Sequence, residues 1–158
     1  EMENVKLKTT KAPFNLSDEI NDVIRLIEAG VVKKGITLSH SIQPDIFIKS
    51  DAELVRQVIT ILFDNAVKYT NENGKIDVSL SKSKHRVTCS IRNSGKGIEP
   101  QDVPKVFDRF FRADRSRTHE NGGFGLGLSI AKAIMDRLGG EIHVKSEKGE
   151  YTTFTVIF

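Results

Sequence analysis

The sequence predicts an α/β protein: a two-layer α/β sandwich, with a mixed, mostly antiparallel sheet of about five strands packed on three helices. Three observations predict it. Apolar residues recur at helical spacing in three separate stretches, beginning near Asn15, Asp51 and Leu126. Strict alternation marks two pairs of runs, KIDVSLS with RVTCSIRN and EIHVKSE with YTTFTVIF, each pair joined by a short polar turn. The 158 residues suit one domain and suffice for an independent core.

The elements follow in order. Residues 1–13, ending at Pro13, are polar and aperiodic and read as an extended lead-in to a domain over 14–158. Asn15 followed by Asp18 starts the first helix, with Leu16, Ile20, Val23, Ile24, Ile27 and Val31 on one face and Gly35 as its stop. Ile36 to Ile42 alternates as a strand, and Ile46 to Ile48 is expected to pair beside it. Asp51 opens the second helix, whose stripe runs Leu54, Val55, Val58, Ile59, Leu62, Phe63 and Ala66 before NENG at 71–74 ends it. The first alternating pair follows. Residues from about Glu99 to Phe124 are charged, glycine-rich and irregular, and a loop of that length in a compact domain is functional or mobile. LGLSIAKAIMDRL is the third helix, closed by Gly139 and Gly140 ahead of the last two strands.

Composition excludes several classes. Hydrophobic residues make up 38% and charged residues 28%, with no apolar run near the ~20 residues of a membrane span and no secretory signal. The single Cys89 rules out an internal disulfide and fits a reduced compartment. The net charge of +3 comes from lysines scattered among acids, without a basic block or aromatic ladder, so no nucleic-acid partner is expected. A local anion such as a phosphate suits that balance better.

Three blocks carry chemistry. In DNAVKYT, Asn65, Lys68 and Tyr69 share a helix face beside the buried stripe. Asn65 is either an amide paired to a neighbouring backbone or an oxygen ligand for a hard cation such as Mg2+, with Lys68 aimed at phosphate oxygens. The residues alone leave both open. In GGFGLGLSIAKAI, Gly123, Gly125 and Gly127 lead into a helix, where close backbone approach and free N–H groups favour an anion. A flexible helix cap explains three alternating glycines less well. No strand precedes them as a dinucleotide fold requires, and GxxxxGK[ST] is absent. In FDRFFRADRSRT, Phe107, Phe110 and Phe111 read as a short amphipathic helix docked on the body, and Arg112 as a phosphate contact. A fourth stretch, RNSGKGIEP at 92–100, is on its own a weak turn signal.

Taken in order, DNAVKYT, NSGKGI, FDRFFRAD and GFGLGL, with a weaker match at GEYTTF, resemble the catalytic and ATP-binding domain of two-component sensor histidine kinases. That domain belongs to the superfamily shared with gyrase, MutL and heat-shock chaperone ATPases. The resemblance runs from about Phe14 to Phe158. It implies that Asn65 binds Mg2+ bridging the phosphates, that Lys68 and Arg112 contact phosphates, and that Tyr69 lines the pocket. Gly95, Gly97 and Ile98 would shape the adenine pocket, with Asn93 at its base-recognising position and Thr152 near the adenine. Residues from about 99 to 124 would form a mobile ATP lid. Gly123, Gly125 and Gly127 would be its hinge and phosphate cradle, and Leu126 and Leu128 would back the nucleotide.

The implied cofactors are ATP and Mg2+. The implied reaction is transfer of the γ-phosphoryl to a histidine on a separate dimerisation and phosphotransfer domain of the same parent protein, then to a response regulator. That histidine belongs in an HExx[TN] setting, which His40, His85, His119 and His143 all lack. So no catalytic residue is assigned in this chain, and self-phosphorylation in isolation is not expected. The resemblance further implies that residues 1–13 follow missing dimerisation helices. This domain would be a cytoplasmic, monomeric part of a membrane-bound homodimeric sensor.

Three positions depart from the family pattern. Asn93 stands where an aspartate normally accepts from the adenine amino group, and a neutral acceptor implies roughly ten-fold weaker binding. Ile61 stands where a second asparagine is frequent, and Tyr151 replaces the glycine before Thr152. These departures allow a second reading, a degenerate domain acting through protein contacts. A gyrase- or chaperone-type ATPase is a third, but it needs a glutamate a few residues before Asn65, and Glu53 is too distant.

Overall fold

A computed structural model describes residues 8–111 and 127–158. The order is β1 (Ala12–Asn15), α1 (Leu16–Lys33), β2 (Thr37–Ile42), β3 (Phe47–Ser50), α2 (Ala52–Tyr69), β4 (Lys75–Ser83), β5 (Arg86–Ser94), a 3-10 turn (Val103–Lys105), α3 (Gly127–Leu138), β6 (Glu141–Glu147) and β7 (Tyr151–Ile157).

Each helix is bounded by the chemistry its sequence supplies. Asn15 caps α1 by accepting from the Asp18 N–H at 3.0 Å. Gly35, at φ +73°, ends α1, with Ile36 N–H returning to the Val31 carbonyl. Asp51 caps α2 through the Leu54 N–H at 3.1 Å. Gly139, at φ +79°, ends α3 as Gly35 ends α1.

The main sheet has the order β2-β4-β5-β7-β6. The β2–β4 pair is parallel and the other pairs are antiparallel. One face is buried, presenting Ile76, Val78 and Leu80, then Val87, Cys89 and Ile91, then Phe154 and Val156. The three helices cover that face, with α2 between α1 and α3. Leu62, Phe63 and Met135 are among their fully buried side chains. The two-layer sandwich of five strands on three helices is therefore present as expected.

Two expectations fail. The strand at Phe47–Ser50 does not pair beside β2; it pairs antiparallel with β1 in a separate two-stranded sheet. Ser17 explains the detour. Its hydroxyl donates to the Gln43 carbonyl at 2.6 Å and accepts from Ile46 N–H at 3.0 Å, turning the chain toward the start of α1. The phenylalanine block does not begin as an amphipathic helix. Its described part, Phe107–Phe111, continues the 3-10 turn through three-residue turns, and Phe110 takes φ +66°. The expected docking is real for part of it: Val106 is buried and the Phe107 ring meets Phe154 edge-on at 6.0 Å. The expected lead-in is tied to the domain at its end, through β1 and through Thr10 N–H donating to Asp51 Oδ2 at 2.8 Å.

Candidate nucleotide-binding site

The last turns of α2 organise the site. Ile61, Asn65 and Tyr69 lie four residues apart, hence on one face. At Ile61, Gly127 of α3 packs so that an added β-carbon would touch the Ile61 side chain at 3.5 Å. At Tyr69, Gly95 packs so that an added β-carbon would stand 2.7 Å from the Tyr69 carbonyl oxygen. Asn65, half-buried, stands between these two contacts. The last turns of α2 thus reach both glycine segments that the sequence singles out, Gly127 at the Ile61 side chain and Gly95 at the backbone end of the helix, with the Asn65 amide between. Lys68 and Tyr69 are exposed on the last turn.

The turn after β5 is wedged between α2 and the β6–β7 connection. Gly97, at φ +72°, leaves 2.5 Å between an added β-carbon and the Glu147 carbonyl oxygen. Gly95 N–H donates to the Glu150 carbonyl at 3.2 Å, and Gly149 N–H to the Lys96 carbonyl at 2.5 Å. Gly95 and Gly97 are therefore required by close backbone approach alone, whereas Gly149, at φ +81°, has open space around it. A salt bridge from Lys148 to Glu99, 3.2 Å, spans the rim.

Asn93 and Thr152 are direct partners across β5 and β7, both buried on the helix-facing side. Asn93 Nδ2 donates to the Ser94 carbonyl at 3.0 Å, which leaves Oδ1 as an acceptor. Ile98 N–H donates to Ser146 Oγ at 2.7 Å, and Ser146 Oγ lies 3.1 Å from Thr152 Oγ1. So Asn93, Gly95, Gly97, Ile98 and Thr152 come together at the end of the sheet, and Gly127 packs at Ile61, one helical turn from Asn65 along α2. Leu128 is half-buried in the first turn of α3 and packs on the core. Arg112, Gly123, Gly125 and Leu126 lie outside the described residues, as does the assigned lid beyond Phe111.

Sequence reasoning missed three supporting residues. Ser94 Oγ donates to Asn71 Oδ1 at 2.7 Å and accepts from Lys75 N–H at 2.9 Å, tying the end of β5 to the turn after α2. Ser146 is the third. It breaks the apolar inward series Ile142, Val144 of β6, and that break was the available signal. Of the sequence departures, Tyr151 does not intrude on the site. Its ring lies 3.7 Å beneath the Arg92 guanidinium and the next residue, Thr152, faces the core side. Ile61 serves as the surface on which Gly127 rests.

The donor set fits a nucleotide better than a self-contained metal cage. Among the described residues no three acidic, histidine or cysteine side chains cluster for a metal. A cation near Asn65 would take one amide oxygen from the protein and the rest of its hard oxygen ligands from phosphates and water.

Residues 50–158 match the family of histidine kinase-, DNA gyrase B- and HSP90-like ATPases. Over 109 residues the chain is 49% identical to the sensor protein CiaH of Streptococcus pneumoniae, covering 69% of this chain and 24% of CiaH. It thus spans about a quarter of the length of that curated relative. The catalytic domain of histidine kinase ThkA superposes with a TM-score of 0.83 at 30% identity, over 94% of this chain and 97% of that one. ThkA in complex with the response regulator protein TrrA gives a TM-score of 0.82 at 28% identity, over 99% of this chain and 44% of that one. Nothing in these likenesses favours the degenerate reading. The chain belongs to the histidine kinase-, DNA gyrase B- and HSP90-like ATPase family, and within it is a histidine kinase ATP-binding catalytic domain.

Proposed function

We propose that ATP binds between the last turns of α2, the turn at 94–98 and the start of α3, with Mg2+, and that its γ-phosphoryl passes to a histidine on a separate dimerisation domain of the same parent. The observation that carries this reading is the position of Asn65 between Gly95 at Tyr69 and Gly127 at Ile61. Asn93 Oδ1 accepts from the adenine amino group, with Thr152 beside it. Gly95, Gly97 and Ile98 shape the pocket. Lys68 and Arg112 neutralise phosphate charge, and Tyr69 lines the opening. Gly123, Gly125 and Gly127 bring backbone N–H groups to the phosphates, the lid over 99–124 closes on them, and Leu126 and Leu128 back the nucleotide.

Mg2+ held by Asn65 and the phosphates would supply charge neutralisation. The chain's own residues supply positioning, which dominates phosphoryl transfer. No general base is assigned. Glu53 lies at the first turn of α2, about 18 Å along the helix from Asn65, so it cannot activate water there as a gyrase-type ATPase requires. His40 sits in β2, His85 in the β4–β5 turn and His143 in β6, where it contacts Glu141 at 2.8 Å; His119 lies outside the described residues. None of the three described histidines lies on a helix, and in this reading the phosphorylated histidine is on the partner domain. A response regulator then receives the phosphoryl, a reading supported by the ThkA–TrrA complex. The same reading makes the parent a membrane-bound homodimeric sensor with this domain facing the cytoplasm, where ATP is found.

Calorimetric titration of Mg–ATP into the chain, N93D and N65A tests it. Binding to the first two and at least ten-fold loss in N65A is expected. No heat in either the unaltered chain or N93D sinks the reading. Radiolabel from ATP retained stably on the isolated chain would sink the claim that the acceptor histidine lies elsewhere.

A further inference from the structure

Ser146 carries more hydrogen bonds than its place in an edge strand demands. Its hydroxyl lies 2.7 Å from Ile98 N, 3.0 Å from the Tyr151 carbonyl oxygen and 3.1 Å from Thr152 Oγ1. A serine hydroxyl has one proton and two lone pairs. A backbone N–H can only donate and a carbonyl can only accept. Ser146 therefore accepts from Ile98 and gives its one proton to Tyr151. The contact with Thr152 can then run only one way, with Thr152 donating. That consumes the single Thr152 proton and leaves Thr152 Oγ1 with lone pairs alone for any further group. Directly across the β5–β7 pair, Asn93 has turned its nitrogen to Ser94 and keeps Oδ1. The end of the sheet thus offers two acceptors side by side.

We propose that Ser146 is a positioning residue for base selection: it fixes the polarity of the Thr152 hydroxyl and, through Ile98, the turn beside it. The assignment rests on the nucleotide site proposed above. Paired acceptors favour a base edge that presents an amino group and disfavour one that presents a carbonyl oxygen, which is the difference between adenine and guanine at their six position. With Ser146 replaced by alanine, Thr152 recovers a free donor, and the barrier against a carbonyl falls.

The test compares Mg–ATP and Mg–GTP affinities, by calorimetry, for the 158-residue chain, S146A and S146T. The unaltered chain is expected to prefer ATP. In S146A the ATP-to-GTP preference should fall about ten-fold, while S146T, which keeps the hydroxyl, retains it. Amide exchange at Ile98, read without nucleotide, should accelerate in S146A. An S146A protein that is folded by circular dichroism and keeps the original preference overturns the assignment. So does an equal loss for both nucleotides, the signature of a merely structural role. If the unaltered chain binds neither nucleotide, the same comparison is made in the N93D background, and failure to bind there as well overturns the nucleotide site itself and this assignment with it. Unchanged Ile98 exchange in S146A overturns the hydrogen-bond role of Ser146 whatever nucleotide does.

Discussion

Gly97 presses against the Glu147 backbone so closely that a β-carbon on it would stand 2.5 Å from the carbonyl oxygen. Gly139 shares the left-handed backbone, φ +79° against +72°, but has open space around it. The pair separates conformational strain from collision. G139A is expected to lose about 1–2 kcal/mol, the cost of a left-handed alanine. G97A should lose more, and should also weaken Mg–ATP binding because the turn must move. Urea denaturation of both variants, with calorimetry on G97A, checks this. Equal losses in the two variants would show that the Glu147 contact relaxes freely.

Asn93 sets affinity against stability. A carboxylate at this position would strengthen the bond to an amino group, so N93D should bind Mg–ATP about ten-fold more tightly. It would also lose the donor now given to the Ser94 carbonyl and place charge against that oxygen in a buried site. Without nucleotide, N93D should be about 1–3 kcal/mol less stable. Denaturation with and without Mg–ATP measures both effects. Tighter binding without a stability loss would mean that the Ser94 bond contributes nothing.

Asp51 holds two backbone donors, Thr10 N–H and Leu54 N–H. The Thr10 bond, then the Leu54 bond, lower its pKa below the ordinary 3.8. A depressed carboxylate pKa means a contribution that is complete above the unfolded value and is lost as pH falls through the folded one. D51A should be about 1 kcal/mol less stable at neutral pH, the usual loss for an N-cap. The gap to the unaltered chain should narrow as pH drops below 3.8. A gap that stays constant with pH would remove the carboxylate from the account.

Cys89 is fully buried in β5, and burial pushes its thiol up to about 12. The thiolate is the reactive form. A thiol reagent at neutral pH should therefore modify Cys89 only at the rate of unfolding, and denaturant should release that reactivity. Rapid labelling of the native chain would contradict this burial.

The sequence made the sandwich readable because each element states its own period. KIDVSLS and YTTFTVIF alternate cleanly, and Asn15 and Asp51 announce helix starts by side-chain chemistry. Asn93 and Thr152 were legible as separate candidates, but their pairing across β5 and β7 depends on strand order, which alternation does not encode. The same limit explains β3. Its pattern is strand-like, yet its partner is decided by Ser17, thirty residues upstream of β3's first residue, bridging Gln43 and Ile46. Ser146 went unnoticed because one hydroxyl on an edge strand is ordinary until its three neighbours are known. In the phenylalanine block, aromatic spacing resembled a helix, while the chain takes three-residue turns that bring Phe107 onto Phe154.

Helix α2 runs between two fastenings of different kinds. Asp51 at its start grips the incoming segment at Thr10, just before β1, and Asn65 near its end stands at the proposed nucleotide site. The two are about 20 Å apart along the helix. That exceeds the screening length of about 8 Å at physiological salt, so charge at one end is hardly felt at the other. A helix is stiff, however, and is held at both ends by backbone-level contacts. Through this helix, a displacement of the incoming segment would reach the nucleotide site proposed above as a tilt of a rigid lever rather than as an electrostatic signal.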